Sequence, residues 1–348
     1  MKEKSLFRLI SITVFAIYIL TGCGIGQQNE SVVIEKNHKK ITVLTKDEEV
    51  VTNELALKKI DRYDGVNGTD WLSEDNILIE QKNIELPKTA MTYDGKYDYH
   101  MNLFSYDIHS KKSHAILGEE IGQIGPIVSP DKKYIFYKKS IDGTTGTGYI
   151  MDLSNKKSIK VSDIDKIFAF STEGRWINNN EIIYPTIDHK MFKADVHGNI
   201  VKIDPNSDIV YSLKNKFGGI KVEWVLSSPN HKQFVIVRKI SQTKRELFIT
   251  DSLGRKSITL AKGTQIFGSS WSPNSKMVAY SVISENKGER GLFVIDVNSR
   301  KITQLSTDLD ELSGPISWSP SGKKILVTKV LVTNNKNNFV TYVLSLKK

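Results

Sequence analysis

The strongest constraint on this chain is a phrase that it repeats. SWSPNSKMVAYS (270–281) returns as SWSPSGKKILVT (317–328), and looser copies precede it as IVSPDKKYIFYK (127–138) and LSSPNHKQFVIV (226–237). Two shortened versions, DWLSEDNILI (70–79) and RWINNNEIIY (175–184), complete the set. Aligned on Trp71, Val128, Trp176, Ser227, Trp271 and Trp318, the copies are spaced by 57, 48, 51, 44 and 47 residues. In the fuller copies an apolar run enters a Ser-Pro turn of small polar residues and leaves as a β-branched or aromatic strand. A period of that length with strands inside it is the pattern of propeller blades. Tryptophans recurring at one position are expected as wedges between blades, not as ligand platforms.

A second phrase follows the first in five units: LFSYDIHSKKSHAIL (103–117), YIMDLSNKKSIKVS (149–162), MFKADVHGNIVKID (191–204), LFITDSLGRKSITLA (247–261) and LFVIDVNSRKITQLS (292–306). Asp107, Asp152, Asp195, Asp251 and Asp296 each stand just before a turn. An aspartate there bonds the backbone two residues on, so these five are expected as turn formers and not as an acid cluster. Two hairpins per unit make a four-stranded antiparallel blade. The whole reads as an all-β, six-bladed β-propeller.

The sixth unit is short by one strand, because after Trp318 come two strands ending in FVTYVLSL (339–346). A ring leaves no edge unpaired, so an N-terminal strand is expected to close the last blade. Ile41–Leu44, within VVIEKNHKKITVLT (32–45), is assigned that place. Residues 47–60 have a weak helical pattern.

Residues 1–22 read as a secretory signal: Lys2, Lys4 and Arg8 precede an apolar run from Leu9 to Leu20, too short for a stable spanning helix. Cys23 is the only cysteine. The ending Leu20-Thr21-Gly22-Cys23 resembles a bacterial lipobox, which implies cleavage before Cys23 and its lipidation. The expected organisation is a signal peptide (1–22), a tether (23–31) and a propeller (32–348), anchored by lipid on the extracytoplasmic face of the cell membrane. Eight residues from Gly24 to Ser31 reach at most about 28 Å, which would hold the fold near the headgroups. Losing Lys2, Glu3, Lys4 and Arg8 lowers the net charge from +10 to +8. The lysines lie scattered one turn at a time, with no basic stripe interleaved with aromatics, so nucleic acid is not the expected partner. An anionic lipid surface or wall polymer suits that charge better.

The repeats SWSPNSKMVAYS and SWSPSGKKILVT, each with an LFVID-like partner strand, resemble those of TolB-type six-bladed propellers, over roughly residues 60–348. The resemblance implies a scaffold that binds other molecules and names no partner. TolB carries a separate N-terminal α/β domain for which the 25 residues between the first hairpin (32–45) and Trp71 leave no room. Prolyl peptidases have similar repeats but add a hydrolase domain, and this chain has no G-x-S-x-G elbow.

No metal or cofactor motif is legible. His38, His100, His109, His114, His189, His197 and His231 show no metal-ligand spacing. IDGTTGTGY (141–149) lacks the Lys-Ser/Thr ending of a phosphate loop and is expected as a hairpin tip. STEGRW (171–176) faintly resembles a sialidase Asp-box turn, but Glu173 stands where the aspartate belongs. Asp308-Leu309-Asp310-Glu311 reads as a solvated connection.

The first unit is the longest because KNIELPKTAMTYDGKYDYH (82–100) is inserted between its second and third strands. Tyr93, Tyr97 and Tyr99, with Asp94, Asp98 and His100, are the candidate binding residues. Tyrosine offers a large contact area with a polar tip, and loops on a rigid scaffold carry function. The three tyrosines would otherwise fold back to cap the blade. Weaker contributions are expected from Asp163–Lys166, Lys214–Phe217 and Asp308–Glu311. The expected function is a non-catalytic binding or scaffold module for a protein, peptide or cell-wall polymer. The alternative is a polysaccharide lyase or hydrolase with charged residues converging at the channel mouth.

Overall fold

The computed structural model describes residues 30–36, 39–45 and 55–348, apart from 93–94, 164–165, 169–173, 256, 285–288, 334–335 and 348. The chain divides into two units, Met1–Val51 and Thr52–Lys348. Within the first, Glu30–Lys36 pairs antiparallel with Lys39–Thr45, placing Ile34 opposite Ile41. Cys23 lies outside the described residues.

The second unit is a six-bladed propeller of four-stranded antiparallel sheets. The first strands of the blades are Gly68–Trp71, Gly122–Val128, Arg175–Trp176, Val222–Ser227, Gln265–Trp271 and Ser317–Trp318. Neighbouring first strands pack on one another: Gly68–Trp71 lies against both Gly122–Val128 and Ser317–Trp318, and Gln265–Trp271 against both Val222–Ser227 and Ser317–Trp318. They therefore line the central axis, and each blade's remaining strands follow outward.

Blade six consists of Ser317–Trp318, Lys324–Thr333, Lys336–Lys347 and, outermost, Ala56–Asp64. Ile41–Leu44 was expected in that last place, but it belongs to the N-terminal hairpin. Ala56–Asp64 runs antiparallel along Lys336–Lys347, with Ile60 opposite Leu344 and Thr341 opposite Tyr63. It also ends only three residues before the first strand of blade one, so it joins the two blades through a short connection of low closure cost. Tyr63 fixes it by donating its hydroxyl to Ile108 O at 3.0 Å and meeting the Tyr106 ring edge-on at 5.7 Å. The helical pattern across residues 56–60 thus yields to sheet pairing, and residues 46–54 lie outside the described residues.

The turn chemistry explains the repeats. Ser129, Ser228, Ser272 and Ser319 are fully buried. Their hydroxyls accept from the N–H five residues on, at Tyr134 (2.9 Å), Gln233 (3.1 Å), Met277 (2.9 Å) and Lys324 (3.2 Å). The five pre-turn aspartates each accept from the backbone N–H two residues on, at 2.8 to 3.0 Å. Backbone donors at the turns hold the Asp107 and Asp251 carboxyls below the usual range.

Four tryptophans are the joints. Each indole N–H donates to a carbonyl on the first strand of the preceding blade: Trp71 to Ser317 (3.2 Å), Trp176 to Ile127 (2.9 Å), Trp271 to Leu226 (3.2 Å) and Trp318 to Ser270 (3.1 Å). Blades two and four lack this tryptophan, having Val128 and Ser227 instead, and are joined differently. At blade two, Val128 packs with Leu78, Leu103 and Ile116. Beside it, Glu80 accepts from Gly125 N–H at 2.7 Å while Lys138 Nζ donates to Gly125 O at 2.9 Å. At blade four, helix α1 (Ile209–Phe217) packs Leu213 and Phe217 with Phe234, Ile236 and Phe248. Its N-cap, Asp208, accepts from Tyr211 N–H and pairs with Arg175 of blade three, so the helix bridges the two blades.

Candidate functional face

The connections from second to third strands, and those from each fourth strand to the next blade, emerge on one end of the ring. The insertion of blade one is rooted there by buried amides. Asn83 Nδ2 donates to Asn102 Oδ1 at 3.0 Å, and Asn102 Nδ2 donates to the carbonyls of Glu119 and Ile121. Beyond this base, Ala90–Met91 pairs with Tyr97–Asp98 in a small hairpin.

The expected binding residues divide along that hairpin. Tyr93 and Asp94 lie outside the described residues. Tyr97 is open to solvent at 61% exposure. Asp98 pairs with Lys82, and that hydrogen bond holds its carboxyl below the usual range. Lys88 Nζ stands 4.9 Å from the centre of the Tyr99 ring. His100 is buried, its Nε2 3.0 Å from Thr89 Oγ1, and burial lowers its pKa. His100 thus roots the insertion, Asp98 and Tyr99 brace its flank, and Tyr97 presents outward with Ile84 and Met91.

The same end of the ring carries the five most exposed of the large apolar side chains, with three more beside them. Ile84, Met91 and Tyr97 stand on blade one, Ile141 on blade two, Phe168 on the connection to blade three, Trp224 and Ile240 on blade four, and Val332 on blade six. Ile141 is 80% exposed and Val332 70%. At the opposite end, among the described residues, the turn between third and fourth strands of blade four contributes Leu253. Ile200, Val201, Ile258 and Ile302 lie at or next to the start of the outermost strands, beside those same turns, and Ile209 and Tyr211 are exposed on α1.

Trp224, on the first strand of blade four, differs from the four joint tryptophans: the residue is 40% exposed, and among the described residues its indole makes no bond to a neighbouring blade. Nothing in the repeat marks it, because it stands three residues before the joint position. The three charged residues on described first strands are each paired. Asp70 accepts from Lys132 and from Ser317 Oγ, Arg175 pairs with Asp208, and Glu223 pairs with Arg245. Asp310, expected in a solvated connection, is buried with Leu309 and is paired with Arg290 and Lys329. Lys214–Phe217 belong to α1, whereas Asp163 and Lys166 are exposed. Residues 141–144 form the expected hairpin tip, with Asp142 accepting from Thr144 and Thr145 N–H. Among the described residues no three His, Cys, Asp or Glu side chains are grouped so as to hold a metal, and no helix is long and apolar enough to cross a membrane.

A closed six-bladed ring with one apolar end defines the class of protein: a β-propeller. Solved propellers, TolB among them, share its fold. TolB from Acinetobacter baumannii superposes with a TM-score of 0.52 at 15% identity, over 78% of this chain and 63% of that one. This chain therefore spans less than two thirds of that TolB's length. An oligogalacturonate lyase in complex with manganese aligns over 92% of this chain and 96% of its own, with a TM-score of 0.52 and 12% identity. The oligogalacturonate lyase of Vibrio parahaemolyticus does so over 91% and 96%, at 0.52 and 11%. These likenesses are of fold alone. No protein-family pattern matches the sequence, and no curated protein is significantly similar to it.

Proposed function

We propose that this protein is an extracytoplasmic lipoprotein, anchored through Cys23, whose propeller is a non-catalytic module that docks a protein, peptide or cell-wall polymer. The docking surface is the end that carries the second-to-third-strand connections. One observation carries this reading: the five most exposed large apolar side chains, Ile84, Met91, Tyr97, Ile141 and Val332, all stand on that end. The insertion fits such a role, with a fixed root at Asn83, His100 and Asn102 and an outward tip at Met91 and Tyr97. The lipid anchor rests on the Leu-Thr-Gly-Cys ending after an apolar run.

A polysaccharide lyase or hydrolase is the second reading, favoured by the two lyases whose full length this chain matches. Against it stands the pairing of all three charged first-strand residues, since catalysis asks for convergent groups free to act. The test is affinity capture after in-cell crosslinking, comparing the intact protein with a variant whose residues 84–99 are replaced by a short Gly-Ser hairpin. Loss of a captured partner with retained folding supports docking. Cleavage of polygalacturonate or another wall glycan by the purified protein would overturn the non-catalytic reading.

A further inference from the structure

Blade four carries a second feature at the same end, which the insertion does not share. Its strands bring one like-charged cross-strand pair and several further cations together at this end of the blade, on both faces of the sheet. Lys239 lies directly opposite Arg245, and Lys244 opposite Ser241 one step further out. Lys262 lies opposite Glu246 on the next strand, and Lys221 enters the first strand just before Val222. The two carboxylates present are already engaged, Glu223 by Arg245 and Glu246 by Arg238 and Thr259. Lys221, Lys239, Lys244 and Lys262 make no ion pair among the described residues. Exposed Trp224 and Ile240 stand among them.

Against six cations at this end, Lys221, Arg238, Lys239, Lys244, Arg245 and Lys262, the strands set two carboxylates, Glu223 and Glu246, so the end keeps an excess of positive charge. Beside an exposed indole and an isoleucine, it has the composition of an interface whose other half is acidic and partly apolar. The geometry points to an acidic segment of a partner protein as the occupant of this sector. Its carboxylates would pair with Lys221, Lys239, Lys244 and Lys262, and an apolar side chain would pack on Trp224 and Ile240. This inference rests on the docking reading above and names its partner's chemistry. A polypeptide is favoured over an anionic glycan or polyphosphate because the exposed groups nearby include aliphatic Ile240. The Trp224 indole would suit a sugar ring as well, but the branched aliphatic Ile240 would not, and a polyphosphate gains nothing from an apolar patch.

The experiment compares four probes on the full chain: poly-L-glutamate, a glutamate–tyrosine copolymer, polygalacturonate and inorganic polyphosphate. Binding is followed by calorimetry and by quenching of the exposed Trp224 fluorescence. The expected result is that the copolymer binds most tightly and weakens steeply with salt. The double variant Lys239→Glu/Lys244→Glu should lose at least tenfold in affinity, and Trp224→Ala should erase the advantage of the copolymer over poly-L-glutamate. Thermal unfolding of each variant confirms that it folds. Equal or tighter binding of polygalacturonate or polyphosphate overturns the inference, as does copolymer binding that ignores the charge reversal. Because the lysine variants leave residues 84–99 intact, failure here with retained partner capture through the insertion would leave the docking reading standing. Failure of both would remove it.

Discussion

The indole N–H of Trp71 donates to the carbonyl oxygen of Ser317 at 3.2 Å, tying the first strand of blade one to that of blade six across 246 residues of sequence. The same joint is made at three other blade boundaries, but here it also closes the ring. Around it, Thr328 Oγ1 donates to Gly68 O at 2.7 Å, and Lys324 Nζ donates to Glu74 O at 2.7 Å. Trp71 is fully buried. Trp71→Ala should therefore cost about 3–5 kcal/mol from the lost ring and its cavity. Trp71→Phe keeps most of the packing, and losing the donor should cost about 1–3 kcal/mol. Urea unfolding measures both, and Trp224→Ala, at an exposed site, should stay within about 0.5 kcal/mol.

Closure of blade six depends on Ala56–Asp64 and not on the hairpin before it. A chain beginning at Thr52 should unfold at the same denaturant midpoint as the full chain. A chain beginning at Gly65 leaves the edge of Lys336–Lys347 unpaired and should aggregate or fail to fold cooperatively. Equal stability of the two truncated chains would contradict the assigned closing strand.

The Glu80–Gly125–Lys138 clasp should show in the pH dependence of stability. Burial lowers Lys138 to about 8 and raises the Glu80 carboxyl. For the lysine the unfolded chain holds its proton more tightly, so stability rises with pH between about 8 and its unfolded value of about 10.4. Lys138→Met strands the Glu80 carboxylate and should cost about 3–5 kcal/mol at neutral pH. With the Glu80 pKa raised in the fold, that loss should shrink on acidification. Glu80→Gln in the same chain should recover part of it, and additive losses in the double variant would show that the two groups are uncoupled.

His100 makes the root of the insertion sensitive to acid. Burial lowers its pKa in the fold, so the unfolded imidazole binds the proton more tightly and stability falls as pH drops through about 6.5. Amide exchange across residues 83–100 should quicken below that pH while blades four and five stay protected. His100→Gln should remove the pH step. A step that persists in this variant would assign it elsewhere.

Blade number, strand order within a blade and the roles of Trp71, Trp176, Trp271 and Trp318 were legible because each is written several times at one spacing. The turn role of the five aspartates was legible for the same reason, since it depends on contacts two residues away. The identity of the closing strand was not legible. Ile41–Leu44 and Ala56–Asp64 both supply apolar residues, and only register against Lys336–Lys347 separates them. The two joints without tryptophan were equally hidden, since Glu80 and Lys138 are 58 residues apart in sequence and α1 interrupts the repeat. For the candidate face, the insertion stood out by length. Its division into the buried His100 and the exposed Tyr97 depends on amides at Asn83 and Asn102, which no local pattern marks. Trp224 escaped notice because a single tryptophan out of register carries no signal until its neighbours are placed.

The most direct test of the docking account is site-specific photocrosslinking in the cell. A photoreactive residue is placed in turn at Tyr97, Ile141, Ile240 and Val332 on the apolar end, and at Leu253 and Ile302 as controls. The account predicts that positions on the apolar end, including Tyr97 or Ile240, crosslink to a shared partner and that Leu253 and Ile302 do not. Crosslinks of equal yield from both ends, or from Leu253 and Ile302 alone, would contradict it.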